Sequence, residues 1–259
     1  MNKYALIVGL TCWMSSAIAA TAPTPAPMNA TQVQQANAAA QQANAQAQSE
    51  NALITQVQAA QAAKDWPKAE ALLTQLTAMD PDNWQLRQAL ADVRLTQGKY
   101  ADAVASYTTA LVAAGKAEVT PAIRQAMALM YSNEGNAYVK LKRDDDAVKA
   151  YTQAAALADA PATSATAWFN VCAVAYNASK PKEALAACEK SLAADPNKAN
   201  AWFIKGSILM GDSDEDANGK PVPPAGTVEA FKKYLELEPK GPHASDVHQI
   251  LDYLSGKSP

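Results

Sequence analysis

Ala167-Trp168-Phe169 and Ala201-Trp202-Phe203 are one tripeptide written twice, 34 residues apart. A fixed interval of this length marks a chain built from stacked supersecondary units, none of which can bury its apolar face alone. Other spacings keep the phase. Ala69 and Ala103, and Leu73 and Tyr107, are separated by the same interval. Alanine is abundant and aromatics are only 7% of the chain. Alanine has the best helix propensity and lets helices approach closely, so the expected fold is all-α.

The chain divides into a leader and an array. Lys3, the apolar stretch from Leu6 to about Ile18, and Ala17-Ile18-Ala19 read as a signal peptide over residues 1–19. The apolar core is short for a membrane-spanning helix, which leaves an uncleaved anchor as the alternative. Cys12 lacks the flanking residues of a lipoprotein signal and is expected to leave with the leader. Thr21 to Met28 is a proline-rich spacer. Residues 29–49 are nearly all Ala, Gln and Asn, with Val33, Ala36, Ala40, Ala43 and Ala47 at alternating steps of three and four. Two readings stay open for this leader: a solvated helix running into the first unit, or a coiled coil that makes oligomers.

From residue 50 onward the phase defines units at about 50–83, 84–117, 128–161, 165–198 and 199–241. A cap follows at 242–254 and a tail at 255–259. Thr120-Pro121 reads as a cap plus a first-turn proline, lengthening the first helix of the third unit backwards. Glu134 and Asp144 stand where the pattern wants Leu and an aromatic. Residues 211–226 form a long loop inside the fifth unit. Val247, Ile250, Leu251 and Leu254 give the last segment an apolar helical face, as a terminal cap needs.

Residues 50–254 resemble the tetratricopeptide-repeat family. Small residues face each other across each hairpin, a bulky residue follows on the second helix, and Asp80-Pro81, Asp195-Pro196 and Pro239 close units. The resemblance implies a right-handed superhelical solenoid of about five hairpins with a C-terminal capping helix. It also implies a concave face lined by the first helix of each unit. That phase turns Gln85, Gln88 and Asp92, then Ser132, Asn136 and Lys140, toward the groove. Phe169, Tyr176 and Asn177 follow, then Phe203, Ser207 and Met210. Phe169, Tyr176, Phe203 and Met210 are expected either to form an apolar strip for a partner peptide or helix, or to pack against the 211–226 loop and neighbouring helices. The family's two-carboxylate clamp needs Lys and Asn at fixed groove positions. Only Asn136 matches, and Phe169 and Phe203 stand where Lys is wanted. The same phase sets Cys172 and Cys188 facing each other across the fourth hairpin, as a disulfide or as two buried thiols.

Charge excludes some functions. The net charge is −3, and loss of Lys3 with the leader takes it to −4. Nothing resembles a basic footprint for nucleic acid. Asp214-x-Asp216-x-Asn218-Gly219 copies the start of a calcium loop, but Ala225 stands where a bidentate Glu belongs, so an acidic turn or small hairpin is preferred. His243 and His248 are the only histidines, and no phosphate loop or nucleophile motif is present. The expectation is a non-catalytic, cofactor-free adaptor or scaffold of the bacterial envelope, in the periplasm, with protein partners. The layout also resembles periplasmic repeat proteins that coordinate envelope assembly.

Overall fold

The computed structural model describes residues 29–217 and 221–256. The segment expected to be a signal peptide, with Cys12, the proline-rich spacer, the end of the tail and Asn218-Gly219 lie outside the described residues.

Among the described residues there are eleven helices and one two-stranded ladder. The first, α1, spans Ala30–Ala62. Residues 29–49, the described part of the first of two units, are exposed at every position. The second unit starts at Glu50. It continues through α2 (Trp66–Met79), α3 (Trp84–Thr96), α4 (Tyr100–Lys116), α5 (Pro121–Lys140) and α6 (Asp144–Leu157). Then come α7 (Pro161–Asn177), α8 (Pro181–Ala194), α9 (Ala199–Gly211), α10 (Thr227–Leu237) and α11 (Ala244–Leu254). Successive helices pack on each other, and the first helices also touch, α3 with α5 and α7 with α9.

Local chemistry sets the ends of these helices. Asp65, Asn83 and Thr120 accept hydrogen bonds from Lys68, Leu86 and Ile123 backbone N–H groups at the starts of α2, α3 and α5. Thr120 therefore begins α5 at Pro121, and residues 121–127 of the insertion are helical. Asp144, Asp145 and Asp146 fill the first turn of α6, where the helix dipole favours negative charge. That accounts for Asp144 in place of an aromatic.

The first four hairpins turn by the same motif. Asp65, Lys99, Arg143 and Lys180 each donate a backbone N–H to the carbonyl five residues earlier, closing the first helix. One residue before each of these, Lys64, Gly98, Lys142 and Ser179 take positive φ, between 56° and 75°. Only the second hairpin uses glycine there. In the fifth unit the inserted loop replaces this turn. It carries β1 (Asp214–Glu215) antiparallel to β2 (Pro221–Val222), which is the small-hairpin alternative for the acidic loop.

The core is built at one recurring contact between the two helices of a hairpin. Val57 meets Leu73 in the first hairpin's cluster and Ala91 meets Tyr107 in the next. Gly135 faces Tyr151, whose ring atoms would lie 2.7 Å from any Cβ placed on the glycine. Gly206 faces Phe231 at 2.8 Å in the same sense. In the fourth hairpin Cys172 and Cys188 hold this place and form a disulfide, with Cα atoms 5.0 Å apart. The small-against-large contact thus becomes a covalent one where both residues are small.

Glu134 departs from the apolar pattern yet stays in the interior, 6% exposed, with Thr108 Oγ1 donating to it at 2.9 Å. Burial pushes its carboxyl above the usual range. Glu70 joins the first two hairpins. It accepts from Lys99 Nζ at 2.5 Å, Gln97 Nε2 at 2.9 Å and Arg94 Nε at 3.0 Å. These donors, Lys99 first, lower its carboxyl to about 2 against the opposing cost of burial.

Candidate functional site

The contact residues Ala91, Gly135, Cys172 and Gly206 give a common origin for comparing the first helices. Three residues before them stand Gln88, Ser132, Phe169 and Phe203. One residue after stand Asp92, Asn136, Ala173 and Ser207, and four after stand Leu95, Val139, Tyr176 and Met210. Offsets of −3, +1 and +4 lie on one side of an α-helix. Each first helix therefore presents these three rows together.

The four aromatic and thioether residues expected either to form one strip or to pack against the loop and neighbouring helices do not share one environment. Phe203 is half-buried and stacks on His243, with ring centroids 3.8 Å apart and planes within 5°. Tyr234 lies tilted against both rings, 5.6 Å from Phe203 and 6.0 Å from His243, and its hydroxyl accepts from the His243 backbone N–H at 2.9 Å. Met210 packs into the same cluster. The physical reason is the cap: α11 brings His243 over the end of α9, so this part of the strip serves to seat the last helix. Phe169 is half-buried against the cluster that runs from the third hairpin through the fourth to the fifth. Tyr176 is exposed at 38%.

The exposed apolar surface of this face lies further toward the N-terminus. Val139, 37% exposed, occupies in α5 the place of Tyr176 in α7. Leu129, 52% exposed, lies on α5 three residues before Ser132. Neither was singled out from sequence. The signal was present, since Val139 and Tyr176 both fall four residues after the contact residue.

Polar residues flank these positions. Asn136 is exposed, and its Oδ1 accepts from Tyr151 Oη at 2.7 Å. Burial pushes that tyrosine up to about 12. Gln85, Lys140 and Asn177 are exposed, while Gln88, Ser132 and Ser207 are half-buried. Asp92 is not a free groove side chain. Its Oδ1 accepts from Tyr107 Oη and from Asn133 Nδ2, the latter at 3.2 Å. Desolvation raises its carboxyl to about 6 despite both bonds. Burial, with the Asp92 charge beside it, pushes Tyr107 up as well.

Trp168, in the middle of α7, and Trp202, in the first turn of α9, are half-buried. Lys190 Nζ lies 4.0 Å from the Trp168 ring centroid, and Trp202 Nε1 donates to the Pro196 carbonyl at 2.8 Å. His248 is exposed on α11. Among the described residues no group of three His, Cys, Asp or Glu side chains is arranged to hold a metal ion, and no helix is long and apolar enough to cross a membrane.

Comparison with known proteins agrees with this geometry. A tetratricopeptide-repeat family model matches residues 54–118 and 132–199, about half of the chain. No curated protein matches the sequence. Among solved structures, MamA superposes with a TM-score of 0.58 at 20% identity, covering 74% of this chain and 92% of its own. A tetratricopeptide-repeat protein from Parabacteroides merdae ATCC 43184 gives 0.59 at 19% identity, covering 81% and 75%. YrrB, described as having an unusual peptide-binding site, gives 0.57 at 16% identity, covering 76% and 90%. At these identities the likeness is one of fold.

Proposed function

This chain belongs to the tetratricopeptide-repeat family, and from that premise we propose that it is a non-catalytic scaffold holding a partner peptide or helix against its first-helix face. The observation that carries the reading is the placement of Val139 and Tyr176. Both are exposed apolar side chains at the same place in successive units, with Asn136, Lys140 and Asn177 beside them. Exposed apolar side chains rimmed by polar ones suit protein recognition. Preformed helices also leave most of the ordering cost to the partner.

The proposed place of action is the bacterial envelope, most simply the periplasm. The reading rests on the signal-like leader and on the Cys172–Cys188 disulfide, which suits an oxidising compartment. A second reading assigns residues 29–49 to self-association, because this small-residue helix is exposed along its whole length. Sedimentation with and without residues 21–49 separates the two: a change in mass beyond the deleted segment supports self-association.

Photo-crosslinking tests the face. A benzophenone side chain is placed at Val139 or Tyr176, and at Val112, which is 61% exposed on the second helix α4, as control. Protein adducts from positions 139 and 176 in intact cells, absent from 112, are expected. Adducts from 112 alone reject the face.

A further inference from the structure

Asp92 and Asn136 occupy the same place in the second and third hairpins. Each accepts a hydrogen bond from the matching tyrosine, Tyr107 or Tyr151. That bond requires only a carbonyl-type oxygen, and Asn136 shows that a neutral amide supplies it. Asn133 Nδ2 donates to the same Asp92 Oδ1 at 3.2 Å, which an amide oxygen also accepts. The fold therefore makes no use of the Asp92 charge, while desolvation makes that charge costly.

Two further facts locate the charge. Among the described residues Asp92 has no ion-pair partner: Arg94, two residues on, is committed to Glu70 and Ser106. Both of its hydrogen bonds fall on Oδ1, yet no buried side-chain oxygen is left without a partner. Oδ2 accordingly reaches the surface, on the face that also carries Gln88 and Asn136.

We infer that Asp92 is the seat for a cationic side chain of the bound protein, a lysine or arginine that meets Oδ2 where the face passes from α3 to α5. The inference rests on the proposal that this face binds protein segments. A carboxylate partly withdrawn from water and fixed by two donors loses little further hydration when a cation arrives, so the charge-assisted bond is stronger than at an open surface. The seat thus favours a cation over a neutral donor and rejects an acidic side chain.

The test is a selection of random peptides displayed on phage, run in parallel on the purified protein and on its Asp92→Asn form. The wild type is expected to enrich lysine or arginine at one position of the selected peptides. Asp92→Asn is expected to enrich peptides without that preference. The selected lysine peptide should bind Asp92→Asn about tenfold or more weakly, while its Lys→Gln analogue binds both proteins alike. The analogue leaves the protein untouched, so a folding defect cannot imitate the result. Peptides enriched without a cation, and lost from a Val139→Asp, Tyr176→Asp variant, overturn the seat and leave the face standing. Failure to select any peptide sensitive to that double variant overturns both.

Discussion

Replacing Asp92 by asparagine is expected to stabilise the array at neutral pH, against the usual outcome of removing a doubly hydrogen-bonded group. The folded protein raises this carboxyl from 3.8 to about 6, with burial as the main cause. Below about pH 4 the group is protonated in both folded and unfolded chains, and the stabilisation from tighter proton binding is fully present. It is lost as pH rises through about 6, where the folded state must hold an unpaired anion. A shift of this size corresponds to about 3 kcal/mol between the two limits. Oδ2 keeps some contact with water, so about 1–3 kcal/mol is expected at pH 7.5 and almost none at pH 4. Asparagine retains both accepted bonds, as Asn136 does with Tyr151. The groups facing Asp92 are Tyr107 from α4 and Asn133 from α5, with Glu134 beyond Tyr107. Glu134 also titrates upward, but in both proteins, so their difference isolates Asp92. Urea unfolding followed by far-ultraviolet circular dichroism, at several pH values across this range, measures the effect. An asparagine variant less stable than wild type at pH 7.5, or one with the same pH dependence, refutes the reasoning.

Three other perturbations probe the recurring features. Reducing Cys172–Cys188 should cost about 3 kcal/mol for a loop of this length, read as a lower urea midpoint with reductant; mass spectrometry after alkylation without reductant should find no free thiol there. Ser179→Gly or Lys142→Gly should each add about 0.5–1 kcal/mol, because glycine takes the positive φ of these turns without its steric cost, and thermal melts of the single variants show the sign. Glu70→Gln should cost about 1–2 kcal/mol at neutral pH. The wild-type contribution is present above about pH 4.5 and is lost as pH falls through about 2, so the two proteins should converge in acid.

Much of the fold was legible because it is periodic. The interval between Trp168 and Trp202 sets the phase, the Asp-Pro pairs mark unit ends, and Thr120-Pro121 marks the start of α5. These are local properties of backbone and capping, carried by a few residues each. The facing of Cys172 and Cys188 also followed from the repeat, although spacing alone left bond and thiols equally open.

The face was less legible. Helical phase could place Phe203 on the first-helix side, but it could not show what lies over it. His243 lies forty residues on, at the cap of α11, and only packing of that helix brings the two ring centroids to 3.8 Å. Val139 shows the converse: the repeat places it with Tyr176, but only the packed structure shows that nothing covers it. Asp92 looked like an open polar side chain until Tyr107 and Asn133 were seen to enclose one of its oxygens.

The sequence by itself therefore determined the helices, the hairpins and the side each residue takes, because backbone sterics, capping and apolar period act over a few residues. Tertiary structure alone decided which of those residues remain open. That depends on contacts between units, where a stacked histidine can close a phenylalanine and a tyrosine hydroxyl can fix one edge of a carboxylate while the other stays free. The tripeptide shared by α7 and α9 shows the division. Its tryptophans and phenylalanines repeat in sequence, yet Phe203 stacks on His243 beside the cap while Phe169 packs into the cluster that joins the third, fourth and fifth hairpins.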